Sequence, residues 1–453
     1  MDSFSMFLNP YMNAHQQSSI VEILALSTLV PLLFVMRHSL GFNYHHHNGG
    51  GEFRSRSLWI YFSRLAVDFV FLIVPMLLIF TVLEEQTYTW TVILGVLLLL
   101  FGISKRFVGS STDSKSSESF RANITSYRVI VMEVACLCIL AVDFEIFPRR
   151  HAKSRMYGIS LMDLGVGSFA LTNAVVSKQA RGISSLSLKD ASGAIIPPLA
   201  VGFGRLILTK SVHYGVPAGE YGVHWNFFFT LAALAMLASF IRIPTNYSAI
   251  SGLLILIGYQ CWLSKGSNSY LLSNTRGDDI ISQNKEGLFS LFGFWGMYLI
   301  GIQLGNYLFF GRQLPSSNNE SNKWIKIKIS CLSVIFWLIT IALDKYVESI
   351  SRRMCNLAYV TLILAENLQL LAILMVSDSL RESSKTSTLE EAVNRNLLAT
   401  FLVANVLTGL VNMLMDTKSA SPMVALSILL AYAFLTSIAA SIPHFYGFRL
   451  KFW

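Results

Sequence analysis

Residues 20–36 read IVEILALSTLVPLLFVM, an apolar run of seventeen residues whose one charge is Glu22. Nineteen residues without Lys or Arg precede it. The basic segment that opens a cleavable signal peptide is therefore missing, and the run is expected to persist as a first transmembrane helix. Twelve comparable runs follow, at 67–82, 90–103, 127–147, 156–177, 194–208, 224–241, 247–263, 288–310, 327–343, 357–376, 397–415 and 423–440. Several fall short of the roughly 20 residues a straight span needs, so their ends are expected to reach into polar flanks. The pattern predicts an all-α integral membrane protein, a polytopic bundle of about 13 transmembrane helices. Residues 20–440 would form one membrane domain, with tails at 1–19 and 441–453.

Composition supports this. Of 453 residues, 53% are hydrophobic and only 13% charged, against roughly 25% charged in soluble proteins. Five cysteines (Cys136, Cys138, Cys261, Cys331 and Cys355) lie in or beside apolar runs, without metal-type spacing. An odd, scattered set excludes a disulfide framework and implies no metal. The net charge is +9, but no dense basic block is present. That excess suits loops facing anionic lipid rather than a nucleic-acid surface. The His45–His47 and Gly49–Gly51 runs, and the Ser-rich 110–119 stretch, read as linkers.

Thirteen spans place the termini on opposite sides, so loop charge sets the orientation. Connections after odd-numbered spans, with their flanks, hold 22 Lys and Arg, and those after even-numbered spans hold 12. Arg205, inside the sixth span, completes the 35. The positive-inside rule then puts the C-terminus in the cytosol and the N-terminus across the membrane. The sequons at Asn123, Asn246 and Asn319 fall on the cytosolic side of that arrangement.

Polar residues at membrane depth are costly, and each is a candidate site. The densest cluster is AVDFEIFPRRHAKSRMYGISLMDLGVGSF, 141–169. Asp143 ends the fourth span beside apolar residues, and Pro148 stops the helix. The turn then carries Arg149, Arg150 and Lys153 into a fifth span holding Asp163. Such a turn suits a phosphate, and a carboxylate near hydrocarbon can act as a base on a hydroxyl. The alternative is that Asp143 only pairs with Lys153 or Arg149 to hold the turn. A second cluster, EYGVHWNFFF at 220–229, puts Glu220, His224 and Asn226 at the lip of the seventh span. On a helix Glu220 and His224 would share a face, where Glu orients the imidazole. An interfacial His beside Trp225 can equally belong to an aromatic belt. Arg352 and Arg353 either bind phosphate or stop the next span from sliding, while Asn405, Asn412 and Asp416 suit interhelical hydrogen bonds. These groups fall at even-numbered connections, a one-sided polar ring like the mouth of a site.

The same stretches resemble the inositol acyltransferase family of GPI-anchor biosynthesis (glucosaminyl-phosphatidylinositol acyltransferase, the GPI-anchored wall transfer proteins). The resemblance rests on FPRRHAK with SLMDLGVGSF in 147–169, EYGVHWNFFFTLA at 220–232, NKEGLFSLFG at 284–293, SRRMCNLAYV at 351–360 and LVANVLTGLVNMLMDT at 402–417. It covers most of the chain from about residue 130 onward, in order; the first 120 residues add only hydropathy. It implies transfer of an acyl chain, typically palmitoyl, from acyl-CoA to the inositol 2-hydroxyl of glucosaminyl-phosphatidylinositol in the endoplasmic reticulum membrane. It implies no cofactor beyond acyl-CoA as co-substrate, membrane lipid as partner and a luminal site. Nothing in the sequence fixes an oligomeric state.

On that reading Asp143 is the base, and Lys153 orients it or stabilises developing charge. Arg149 and Arg150 hold a phosphate, His224 supported by Glu220 is the rival base, and Asp163, Asn226, Arg352 and Arg353 are substrate-binding candidates. No cysteine has a base beside it, so direct transfer is expected rather than an acyl-enzyme. A lipid transporter or scramblase is the rival from another class, and it should show repeats and a polar track reaching both faces. Another membrane O-acyltransferase, using His224, is the second rival.

Overall fold

A computed structural model describes residues 18–40, 53–107, 116–183, 188–211, 218–310, 319–380 and 386–449. Every regular element among them is helical. The chain begins with α1 (Ile20–Ser39), capped by the Ser19 hydroxyl, which accepts from the Glu22 N–H. Next come α2 (Phe53–Asp68) and α3 (Val74–Phe80), joined by a five-residue π-helical turn, and α4 (Thr87–Phe107). Then follow α5 (Ser116–Ala141), α6 (Leu161–Val175), α7 (Leu188–Ser211) and α8 (Phe227–Phe240). The rest are α9 (Thr245–Trp262), α10 (Asn268–Leu272), α11 (Ile280–Gln283), α12 (Lys285–Gly305), α13 (Asn319–Tyr346), α14 (Leu357–Val376), α15 (Thr388–Arg395), α16 (Leu397–Leu414) and α17 (Pro422–Phe445).

Ten helical segments among the described residues are long and apolar enough to cross a membrane. Three shorter apolar ones, Leu161–Val175, Ala191–Ile207 and Phe227–Phe240, stand where the fifth, sixth and seventh spans are expected. The architecture is an all-α polytopic membrane protein.

Some boundaries move, for local reasons. The second span is Leu58–Phe80 rather than 67–82. Arg64 and Asp68 interrupt its apolar pattern, but Asp68 is buried against Arg37 at 2.6 Å, which offsets part of the cost of its charge. Helix α5 stops at Ala141 instead of 147, because the chain turns through 142–147 ahead of Pro148. The last helix runs to Phe445, past the expected start of the tail at 441. Between the eleventh and twelfth spans the short α15 is closed by a capping box, Ser387 with Glu390.

Helix α14 is the central post, with sixteen of its twenty residues buried. In lipid, helices associate by close packing rather than by the hydrophobic effect, and small residues permit it. A Cβ on Gly252 of α9 would lie 2.5 Å from the Gly296 carbonyl of α12, and one on Gly305 would lie 2.1 Å from the Val175 carbonyl of α6. These contacts bring α6, α9 and α12 backbone to backbone. Helix α16 buries only Thr400 and Ala404 and lies at the periphery.

Polar groups are not confined to one end, contrary to the one-sided ring expected. At the end of the odd-numbered connections, Glu390 accepts from His38 at 2.7 Å, while Asp68 takes Arg37 and the Leu389 N–H. At mid-depth Glu366 and Asn367 of α14 join Ser168 of α6 and Tyr127 of α5. Asn367 Nδ2 donates to Glu366 Oε2 at 2.6 Å, and the Tyr127 hydroxyl to Asn367 Oδ1 at 2.8 Å. The cleft beside Glu366, between α1, α5 and α6, encloses about 40 Å³, room for on the order of three waters. A lipid headgroup does not fit there.

Candidate active site

The loops 142–160, 218–226, 273–284 and 347–356 meet at one end of the bundle and are stitched by their backbones. Gly158 N–H donates to the Ile350 carbonyl at 2.8 Å, Val223 N–H to the Gln283 carbonyl at 3.0 Å, and Gly287 N–H to the Tyr221 carbonyl at 2.8 Å. Gly222 is held at φ +122°, and a Cβ there would meet the Asn284 Cα at 2.6 Å. Only glycine fits both the conformation and the space.

That glycine corrects the expected pairing of Glu220 with His224. Residues 222–226 are not helical, so the two side chains do not share a helical face. Glu220 serves cations instead: Lys153 Nζ lies 2.6 Å from its Oε1 and an Arg352 nitrogen 3.5 Å from the same atom. Burial alone would raise the Glu220 carboxyl, but Lys153 and Arg352 outweigh it and hold it at about 2. His224 is placed by its backbone, whose N–H donates to Asn284 Oδ1 at 2.8 Å.

The remaining sequence candidates divide into two groups. Arg352 also donates to Asp163 Oδ1 at 2.8 Å, and both side chains are buried. Asp163 further accepts from the Ser160 hydroxyl and the Ser154 N–H, so it clamps the start of α6. Arg353 and Arg276 share Glu286 Oε1, at 2.7 and 2.6 Å. Arg150 donates to Glu22 at 2.8 Å and to Glu84, and His151 approaches Glu22 at 3.0 Å. Glu22, Glu84 and His151 are grouped as metal ligands would be, but the Arg150 guanidinium lies against both carboxylates. Asn226 caps α8, accepting from the Phe228 and Phe229 N–H groups and donating to the Gly202 carbonyl at 2.9 Å. Asn226, Asp163, Arg150, Arg352 and Arg353 are thus occupied by the fold.

Asp143 and Arg149 form the second group. Arg149 is exposed, and its guanidinium donates to the Val142 carbonyl at 3.0 Å. Asp143 Oδ2 accepts from Asn412 Nδ2 at 2.8 Å, while Oδ1 has no protein partner among the described residues. Glu22, Glu84, Asp163, Glu220 and Glu286 each meet an Arg, Lys or His; Asp143 meets none directly. Burial raises its carboxyl above the ordinary range, against the lowering pull of Asn412, Arg149, Lys418 and Lys153. A half-buried carboxylate with one open oxygen and a raised proton affinity can take a proton from a hydroxyl.

Beneath this rim, Phe169 of α6, Phe227 and Phe228 of α8 and Phe401 of α16 pack edge to face or tilted, with Phe401 centroids 5.7 Å from Phe169 and 5.9 Å from Phe228. Sequence reasoning missed Glu22, Glu84 and Arg276 as ion-pair partners. It also missed Glu366, whose signal is a carboxylate in the apolar run LAENLQLL.

These features define a polytopic helical membrane protein with a carboxylate-centred polar site at one rim. Residues 9–442 match the model of the GWT1 family, and the chain belongs to that family. It is 49% identical over 434 residues to an uncharacterized protein of Arabidopsis thaliana, covering 94% of this chain and 99% of that one. It is 31% identical to the glucosaminyl-phosphatidylinositol-acyltransferase PIGW of Mus musculus, over 88% of this chain and 93% of the relative. With the GPI-anchored wall transfer protein 1 of Kluyveromyces lactis it shares 34% identity, over 88% of this chain and 92% of the relative.

Proposed function

We propose that this chain is an O-acyltransferase of GPI-anchor biosynthesis. It moves a fatty acyl chain, typically palmitoyl, from acyl-CoA to the inositol 2-hydroxyl of glucosaminyl-phosphatidylinositol. It works in the endoplasmic reticulum membrane, N-terminus luminal and C-terminus cytosolic, with the Asp143 rim on the luminal side. Membership of a family whose mouse relative is named a glucosaminyl-phosphatidylinositol-acyltransferase supports the class.

The observation that carries the chemistry is Asp143, a carboxylate with no cation pressed against it and one oxygen open. Asp143 takes the proton of the inositol hydroxyl as that oxygen attacks the thioester carbonyl carbon. The new C–O bond forms, the C–S bond breaks, and the departing CoA thiolate takes the proton back from Asp143. Lys153, beside Glu220 and felt at Asp143, stabilises the oxyanion in this reading. Asn412 and Phe401 lie on α16 eleven residues apart, about 16 Å along the helix. The distance from rim to aromatic cluster is on the scale of a long acyl chain.

Membranes containing the protein, given labelled palmitoyl-CoA and glucosaminyl-phosphatidylinositol, test the reading. A phosphatidylinositol-specific phospholipase C that uses the 2-hydroxyl as its internal nucleophile should fail to cleave the labelled product. A labelled product that the phospholipase cuts would place the acyl group elsewhere.

A further inference from the structure

At mid-depth, the cleft between α1, α5 and α6 is mostly apolar, and its polar lining is Ser27, Ser168 and Glu366. Lys, Arg and His are absent from that lining among the described residues. Glu366 Oε2 accepts twice, from Asn367 Nδ2 at 2.6 Å and from the Ser168 hydroxyl at 3.2 Å. Hydrogen bonds donated to a carboxylate favour its ionised form. Its Oε1 has no partner among the described residues. A negative charge at this depth is costly until a positive one joins it.

Ser27 borders the same space from α1. It is 6% exposed, and its hydroxyl has no hydrogen-bond partner among the described residues. A hydroxyl inside a helix can turn back on the carbonyl four residues earlier, as Thr28 does to Leu24 at 2.8 Å and Ser39 to Val35 at 2.8 Å. Ser27 does not. Its backbone carbonyl is also short of a donor: the intrahelical partner would be the N–H of residue 31, and Pro31 has none. Ser27 and Pro31 both line the cleft, which puts this carbonyl on its wall. One turn along α14 from Glu366, Gln369 Nε2 donates to Thr28 Oγ1 at 2.7 Å and holds the α1 and α14 walls together.

Glu366 Oε1, the Ser27 hydroxyl and the Ser27 carbonyl are thus three oxygens without donors around a space of about 40 Å³. One carboxylate balances one monovalent cation, whereas calcium gathers more ligands and more charge. A carbonyl freed where a helix is interrupted is a recurrent sodium ligand within membranes. The space takes one such ion with about two waters to complete its shell. We propose that this cleft binds a sodium ion, held by Glu366 and by the hydroxyl and carbonyl of Ser27, and that the ion ties α1 to α14. The assignment does not depend on the acyltransferase reading.

The test uses the full chain in micelles of an uncharged detergent, as wild type, Glu366→Gln, Ser27→Ala and Pro31→Ala. Radioactive sodium is titrated at constant ionic strength made up with choline chloride, and each protein is melted in sodium, potassium and choline chloride. Wild type should bind sodium saturably, about one ion per chain, and its melting temperature should rise with sodium and not with choline or potassium. Glu366→Gln removes the charge and should abolish saturable binding and the sodium-dependent rise together. Ser27→Ala loses one ligand, and Pro31→Ala gives the Ser27 carbonyl an N–H of its own. Each should weaken sodium binding roughly threefold to tenfold, Pro31→Ala without loss of stability in choline. A wild type that melts alike in sodium and choline and holds no saturable ion overturns the proposal, and Glu366 then keeps a proton beside waters. Sodium binding that survives Glu366→Gln overturns it, because the ion lies elsewhere. Potassium binding as strong as sodium binding also overturns it, as do Ser27→Ala and Pro31→Ala proteins that both keep wild-type affinity. If Glu366→Gln does not fold, the Ser27 and Pro31 variants decide by the same affinities.

Discussion

Lys153 Nζ lies 2.6 Å from Glu220 Oε1, tying the loop after α5 to the loop before α8 across 67 residues of chain. Its charge still reaches Asp143, but more weakly than the Asn412 hydrogen bond and the burial that raises that carboxyl. The two carboxylates therefore diverge. Glu220, paired with Lys153 and Arg352, is ionised at any physiological pH, while Asp143, paired with none, keeps a raised proton affinity. Titratable groups whose surroundings push them apart mark an acid–base assignment, which is why Asp143 is the proposed proton acceptor.

Replacing the proposed base should slow turnover without weakening the fold. Asp143→Asn removes a carboxylate whose ionised form burial disfavours, and an amide can still bond to Asn412. Acyl transfer should fall by roughly 10²–10⁴-fold, while the melting temperature in detergent stays level or rises. His224→Ala should stay active. The opposite pattern, an active Asp143→Asn and a dead His224→Ala, would hand the base to His224.

The pH profile carries a signature of its own. Activity should rise with pH as Asp143 deprotonates, with the midpoint of the acid limb displaced above the ordinary aspartate value of 3.8 because burial raises the group. Asp143 contributes stability below its unfolded pKa and loses it as pH rises through the raised folded value. Glu220 runs the other way: its contribution is present above the unfolded value of 4.5 and is lost as pH falls towards about 2. Wild-type kcat/KM from pH 4 to 8 locates the limb. A profile flat across that range removes Asp143 from the proton transfer.

Breaking the ion-pair hub should separate structure from catalysis. Glu220→Gln leaves Arg352, only 4% exposed, with one carboxylate instead of two. That change should cost roughly 3 kcal/mol, the scale both of Glu220's shifted ionisation and of a broken buried pair. Lys153→Ala removes a cation that is 39% exposed, so its melting temperature should move little while its activity falls. Equal destabilisation in the two variants would mean that Lys153 is a structural strut.

The helices, their order and the meeting of the polar loops were legible from hydropathy, because a bilayer forces apolar runs into helices. Asp143 was legible for the same reason, as a carboxylate at the end of an apolar run. Partner choice was not. Glu220 and His224 have helical spacing, and only the left-handed backbone at Gly222 shows that the segment is not a helix. Arg150 reads as a phosphate ligand until Glu22, 128 residues earlier, is found against it. Long-range pairing of this kind leaves no periodic trace. Asp68 and Glu366 were hidden differently: each looks like a break in a span, and each is accommodated by a partner on another helix.

The glycine-lined contacts supply a last prediction, one that isolates the scaffold under the site. A Cβ on Gly293 of α12 would stand 1.9 Å from the Cys355 carbonyl and 2.8 Å from its Sγ. Cys355 itself holds the left-handed conformation at φ 51°, so the 347–356 loop is already fixed where it meets α12 and has little freedom to retreat. That loop carries Arg352 and Arg353. Gly293→Ala should therefore push α12 and the loop apart, lower the melting temperature severely, and loosen Arg352 from Asp163 and Glu220. Gly165→Ala on α6 is the control, because a Cβ there meets nothing within 4 Å. With no clash to relieve, it should gain roughly 0.5–1 kcal/mol from helix propensity. Thermal melts of the two variants in detergent decide the matter. A Gly293→Ala protein as stable as Gly165→Ala would show that α12 and the arginine loop do not touch as closely as these distances state.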